Sequence, residues 1–230
     1  MAINYGSLKQ SEDNLIKKFY EYLSHTYKMH LVVVKAFELY SNKDEFHKKT
    51  AQVFELEKIS NITQADLLDE CTWIISKEQP QASHLRFVIA IINSINDLER
   101  ICDYANNLAK FLENNINIRP EDIYPLKSME ELAVNNYLKI FEYFKTHDAT
   151  SCYKYAEQLL NEFTQEFRCH LKTFKGTYFG ENGTNNDAEI AVAIILAFKN
   201  VERIMDHVMN IIEYFIYIKE CNFFFDKRVI

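Results

Sequence analysis

Ten residues, Leu98–Asn107 (LERICDYANN), carry a glutamate, an aspartate and an asparagine at four-residue intervals. On a helix such residues step along one ridge, so Glu99, Asp103 and Asn107 present their oxygens in a row. The pattern returns 103 positions later in Val201–Asn210 (VERIMDHVMN), where Glu202, Asp206 and Asn210 repeat it. Between 90–111 and 193–214, Ala, Ile, Ile, Glu, Arg, Ile, Asp and Asn coincide. The chain therefore reads as an internal duplication with E-R-I-x-D, then Asn, as its signature. Two acids at i and i+4 repel by roughly 0.2–0.5 kcal/mol on an exposed helix, so both copies need a compensating positive charge.

Two kinds of charge could supply it. One is a neighbouring arginine, Arg100 or Arg203, on an acidic border between core and water. The other is a divalent cation, since carboxylate and amide oxygens suit magnesium, manganese and iron. The spacing alone leaves both open. Enzymatic readings find less support. A ferritin-like di-iron bundle needs Glu-x-x-His, and none of the seven histidines stands three residues after a glutamate. No H-E-x-x-H, Walker loop, G-x-S-x-G or glycine-rich phosphate cradle is present. His207, next to Asp206, reads as a half-exposed packing histidine.

Long helices must position these residues. The chain is 48% hydrophobic with only 4 Gly and 3 Pro, too few breakers for an all-β fold. A net charge of −7 argues against gripping nucleic acid or an anionic membrane surface. The unbroken apolar run from Ile190 to Phe198 is about half a membrane span. The N-terminus lacks the apolar segment of a signal peptide, so the expected location is the cytoplasm. Five cysteines without a C-x-x-C motif read as reduced packing thiols.

Apolar periodicity predicts helices over 7–41, 44–78 and 83–114. Gln79-Pro80 separates the second from the third, because a residue before proline leaves the right-handed helical region. Asn114-Asn115 opens a central linker that Pro120 and Pro125 keep extended, with helices expected over 127–146, 149–175 and from Asn186 or Asp187 onward. The glycine-bearing stretch 176–185 is the one long loop of the second half. The predicted fold is all-α: two tandem three-helix bundles, 1–116 and 117–230, with the signature on the third helix of each. Phe223-Phe224-Phe225 reads either as a cap on the bundle end or as a docking patch.

These residues also carry a family resemblance. The stretch Val53–Phe111 resembles the PhoU family, accessory proteins of the high-affinity phosphate transporter. The connector residues Gln79, Pro80, Ala82, Leu85 and Arg86, both E-R-I-x-D copies and 210–218 (NIIEYFIYI) match its motifs. The resemblance implies a non-enzymatic, often dimeric protein that damps phosphate uptake and phosphate-starvation signalling. The implied partners are the transporter's ATP-binding subunit and a sensor histidine kinase, with the membrane reached only through the transporter. It also implies metal binding (magnesium, manganese, iron or zinc) through Glu99, Asp103, Glu202 and Asp206, with Asn107 and Asn210 as further donors. Three departures stand out: Cys102 and Met205 replace the family's glycine, His84 replaces an aspartate, and Gln64 and Leu68 stand where second-helix acids are expected.

Overall fold

A computed structural model of the chain describes residues 5–178 and 185–220. Cys221, Phe223–Phe225 and the centre of the glycine-bearing stretch lie outside the described residues. Six α-helices follow in order: α1 (Tyr5–Glu38), α2 (Lys43–Glu78), α3 (Ser83–Asn114), α4 (Pro120–Phe144), α5 (Ala149–Tyr178) and α6 (Asn185–Glu220). No strand occurs among the described residues. None of these helices is long and apolar enough to cross a membrane.

Each helix owes its place to an apolar stripe. Along α1, Leu8, Leu15, Phe19, Tyr22, Met29, Val33 and Phe37 are buried at steps of three, four and seven residues. The turns follow local chemistry. Gln79 adopts a left-handed conformation (φ 50°, ψ 52°) that ends α2, and Pro80 prevents its continuation. Ala82, at φ 50° and ψ −118°, completes this turn in a region costly for a residue with a Cβ. Asp148 caps α5: its carboxylate accepts from the Ser151 amide at 3.0 Å and the Ser151 hydroxyl at 2.9 Å.

The central linker is shorter than expected. The helix predicted from 127 begins at Pro120 and takes Pro125 into its second turn. Pro120 needs no hydrogen-bond donor at the first helical position. The carbonyl deprived of a partner by Pro125 belongs to solvent-exposed Glu121, where water can satisfy it. The first helix also stops earlier, at Glu38 rather than 41.

Within each half the three helices pack on one another, α1–α2–α3 and α4–α5–α6. The halves then join through α3 against α6 and α1 against α4. Thus α1, α3, α4 and α6 form a central four-helix bundle, with α2 and α5 laid on opposite flanks. One continuous hydrophobic core runs through both halves.

A buried polar clamp crosses that core. His30 of α1 donates through Nε2 to the Ile101 carbonyl of α3 at 2.9 Å, and its Nδ1 shares a 2.6 Å hydrogen bond with Glu130 Oε1 of α4. His30 is 3% exposed and Glu130 0%. Glu130 Oε2 has no hydrogen-bond partner among the described residues. Tyr137 of α4 adds a bond from its hydroxyl to the Leu23 carbonyl of α1, at 2.9 Å.

Candidate functional site

Both ridges lie where the helical spacing puts them, on the flanks of α3 and α6. Glu99 and Asp103 are half-buried, and Asn107 is exposed. Glu202, Asp206 and Asn210 are half-buried. Arginine supplies the compensating charge in both copies. Arg100 lies 3.6 Å from Asp103 and 3.9 Å from Glu99, and Arg203 lies 3.2 Å from Asp206. Lys199 pairs with Glu202. Half-exposed pairs of this kind contribute about 0–1 kcal/mol each.

Burial pushes the carboxyl groups of Glu99, Asp103 and Asp206 above their usual range. Negative neighbours add to this: Asp103 and Glu57 act on Glu99, Glu57 on Asp103, and Glu202 on Asp206. The arginine of each copy partly offsets the shift. Glu57 is the second-helix acid that the sequence did not single out, since Gln64 and Leu68 occupy the expected positions. Gln64 instead donates to Asn96 at 3.2 Å, tying α2 to α3.

The residues present do not make a ready metal centre. Among the described residues no group of three or more His, Cys, Asp or Glu side chains could hold a metal ion. Each ridge offers two carboxylates, with arginine or lysine against them. The glycine positions of the signature hold buried side chains. Burial pushes the Cys102 thiol up to about 11, and its Sγ lies 3.4 Å from Thr26 Oγ1. Met205 is fully buried.

The stronger polar arrangement lies between the ridges, where the two halves meet. Helices α3 and α6 run antiparallel, with Arg86 Nε donating to the Ile218 carbonyl at 3.2 Å near one end. At the crossing, Tyr104 meets His207, its own counterpart 103 residues on, with ring centroids 5.6 Å apart. Contact between equivalent positions of two copies is the mark of a two-fold relation. His207 Nδ1 donates to Asp97, and the Tyr104 hydroxyl donates to His207 Nε2 at 3.1 Å. Asn210 Nδ2 also donates to Asp97, at 3.3 Å. This candidate metal donor therefore serves the interface. Asp97 is buried, and three polar groups from α6 surround it: burial and the Asp97 charge also push the Tyr214 phenol up. Asp97 and Tyr104 carry no motif of their own, although the 103-residue offset places Tyr104 opposite His207.

Comparison with known proteins decides the family. The PhoU domain model matches residues 28–112. The phosphate-specific transport system accessory protein PhoU homolog of Zymomonas mobilis is 32% identical over 76% of this chain and 71% of its own length. This chain belongs to the PhoU family. The uncharacterized protein MG409 of Mycoplasma genitalium is 35% identical over 96% of the chain and 98% of its own length. The crystal structure of PhoU from Pseudomonas aeruginosa shares the fold, with a TM-score of 0.79 at 23% identity over 93% of this chain and 99% of that one. The PhoU domain match ends at Leu112, within α3, so it covers the first signature and most of the first half.

Proposed function

We propose that this chain is a cytoplasmic regulator of phosphate uptake that lowers the throughput of a high-affinity phosphate transporter. It acts by contact with the transporter's ATP-binding subunit and, in cells that have one, with a sensor histidine kinase. Its working form is a homodimer, and it reaches the membrane only through the transporter. The observation that carries this reading is membership of a family whose relatives, aligned over about three quarters of the chain, are named as phosphate-specific transport accessory proteins. The reading assigns the chain no catalytic step. Deleting the gene is expected to raise phosphate uptake under phosphate-replete conditions, measured with labelled phosphate. Cross-linking and purification are expected to recover the ATP-binding subunit. Unchanged uptake with no transporter subunit recovered would overturn the proposal.

A cation enters this reading as an exchangeable one. Glu57 and Asp103 act on Glu99, and Glu57 on Asp103, with Arg100 and Lys110 as the opposing cations, a local excess of negative charge. Magnesium, manganese, iron or zinc at Glu99 and Asp103, or at Glu202 and Asp206, would displace the arginine and complete its shell with water. Titration with manganese, followed by calorimetry, tests this. Binding should fall stepwise in D103N and D103N/D206N, and equal binding by both variants and the parent excludes these carboxylates.

A further inference from the structure

The two flanking helices occupy equivalent places and carry opposite surfaces. Among the described residues helix α2 packs only on α1 and α3, and α5 only on α4 and α6. Each leaves its outer face open. On α2 that face is a seam at alternating three- and four-residue steps: Ile59, Ile62, Asp66, Asp69, Trp73. All five are exposed, with Ile59 at 50%, Ile62 at 62% and Trp73 at 51%. The buried residues Val53, Ser60, Leu67, Cys71 and Ile74 lie on the other side of the helix. At the 103-residue offset the seam positions on α5 are Glu162, Gln165, Cys169 and Lys172, all exposed, and none carries a large apolar side chain. The duplicated scaffold therefore needs no apolar residue at this place, and the isoleucines and tryptophan of α2 are there for something other than folding.

We propose that the outer face of α2 docks a single amphipathic helix of another protein, whose contacting seam is apolar at both ends and basic in its middle. The spacing is that of a helix-packing seam, in which side chains three and four apart receive the knobs of a partner helix. The fourteen helical steps from Ile59 to Trp73 span about 21 Å, some four turns of a partner. Charge complementarity fixes the partner's centre. Asp66 and Asp69 have no ion pair or hydrogen bond among the described residues, whereas nearby Glu70 is held by Lys18. Trp73 is the anchor at one end of the seam, since tryptophan is enriched among the residues that carry most of the binding energy.

The same features exclude other occupants. A second copy laid seam to seam about a two-fold axis would bring Asp66 and Asp69 against their own counterparts. A second copy presenting α5 would offer Ile62 and Trp73 no apolar surface. An anionic membrane would repel the acidic middle.

The test uses the full chain and the fluorescence of Trp73, its only tryptophan. The probe is a synthetic helix of about 20 residues, with leucine at the outer seam positions and arginine at the two central ones. Its control has glutamate in place of arginine. The arginine helix should move the emission to shorter wavelength and shield it from acrylamide. Affinity should fall about tenfold in D66N/D69N and at least as much in I62S, and should hold in E157Q/E166Q, which removes the same charge from α5. Equal binding of both helices, equal loss in E157Q/E166Q, or the same spectral change from concentrating the protein or adding phosphatidylglycerol vesicles would overturn the proposal. The readout needs no transporter component, so its failure leaves the phosphate-uptake reading to its own test.

Discussion

His30 and Glu130 hold the two halves together, and their burial sets a large penalty for separating them. Replacing His30 with alanine leaves Glu130 fully buried with neither carboxyl oxygen bonded, because Oε2 already has no partner among the described residues. Replacing Glu130 leaves the imidazole only the Ile101 carbonyl. Leaving one member of a buried polar pair without its partner costs about 1–3 kcal/mol. For a chain of this size that corresponds to a fall in Tm of about 2–12 °C. Replacing both with apolar residues of similar volume, as in H30L/E130M, removes the stranded polar group and should restore stability to near the parent or above it. Urea unfolding followed by circular dichroism measures all four corners of this cycle. The core is continuous across the halves, so the parent and H30L/E130M should each unfold in one transition of similar slope. If each single replacement costs less than about 1 kcal/mol, or the double costs the sum of the two, the pair is not the clamp described here.

Three further outcomes follow from the site. H207A strips Asp97 of its nearest donor and should cost about 1–3 kcal/mol in urea unfolding, with H207Q recovering part of it. A cost equal to that of an exposed-residue replacement would remove the Asp97–His207 bond from the interface. Glu99 and Asp103 have folded pKa values raised above their unfolded ones, so ionising them opposes folding: the penalty is present at neutral pH and disappears as pH falls below the unfolded values. E99Q/D103N should therefore raise Tm at pH 7 and lose that advantage near pH 4, and a lower Tm at pH 7 would show that the Arg100 contacts outweigh burial. Cys102 is pushed up to about 11 and Cys71 and Cys152 to about 12 by burial, whereas Cys169 is exposed. At pH 8 a thiol reagent should label Cys169 in the folded protein and Cys71, Cys102 and Cys152 only after unfolding. Rapid labelling of Cys102, mapped by mass spectrometry, would contradict its placement in the core.

Local spacing determined much of this protein. Apolar periodicity marked six helices, the 103-residue repeat paired them into two threes, and the four-residue steps put Glu99–Asp103 and Glu202–Asp206 on the flanks of α3 and α6. Arg100 and Arg203, already in the signature, lie against Asp103 and Asp206. The start of α4 was misjudged because a rule about Pro125 and its neighbour cannot show whether the freed carbonyl faces water. Only tertiary packing decided the rest. Nothing local joins His30 to Glu130, 100 residues away, or Asp97 to His207 and Asn210. The meeting of Tyr104 with its own counterpart depends on α3 and α6 crossing antiparallel, which the pattern of either helix leaves undetermined. Periodicity fixes which side of a helix is buried, whereas the partner on that side is chosen by how all six stripes close together around one core.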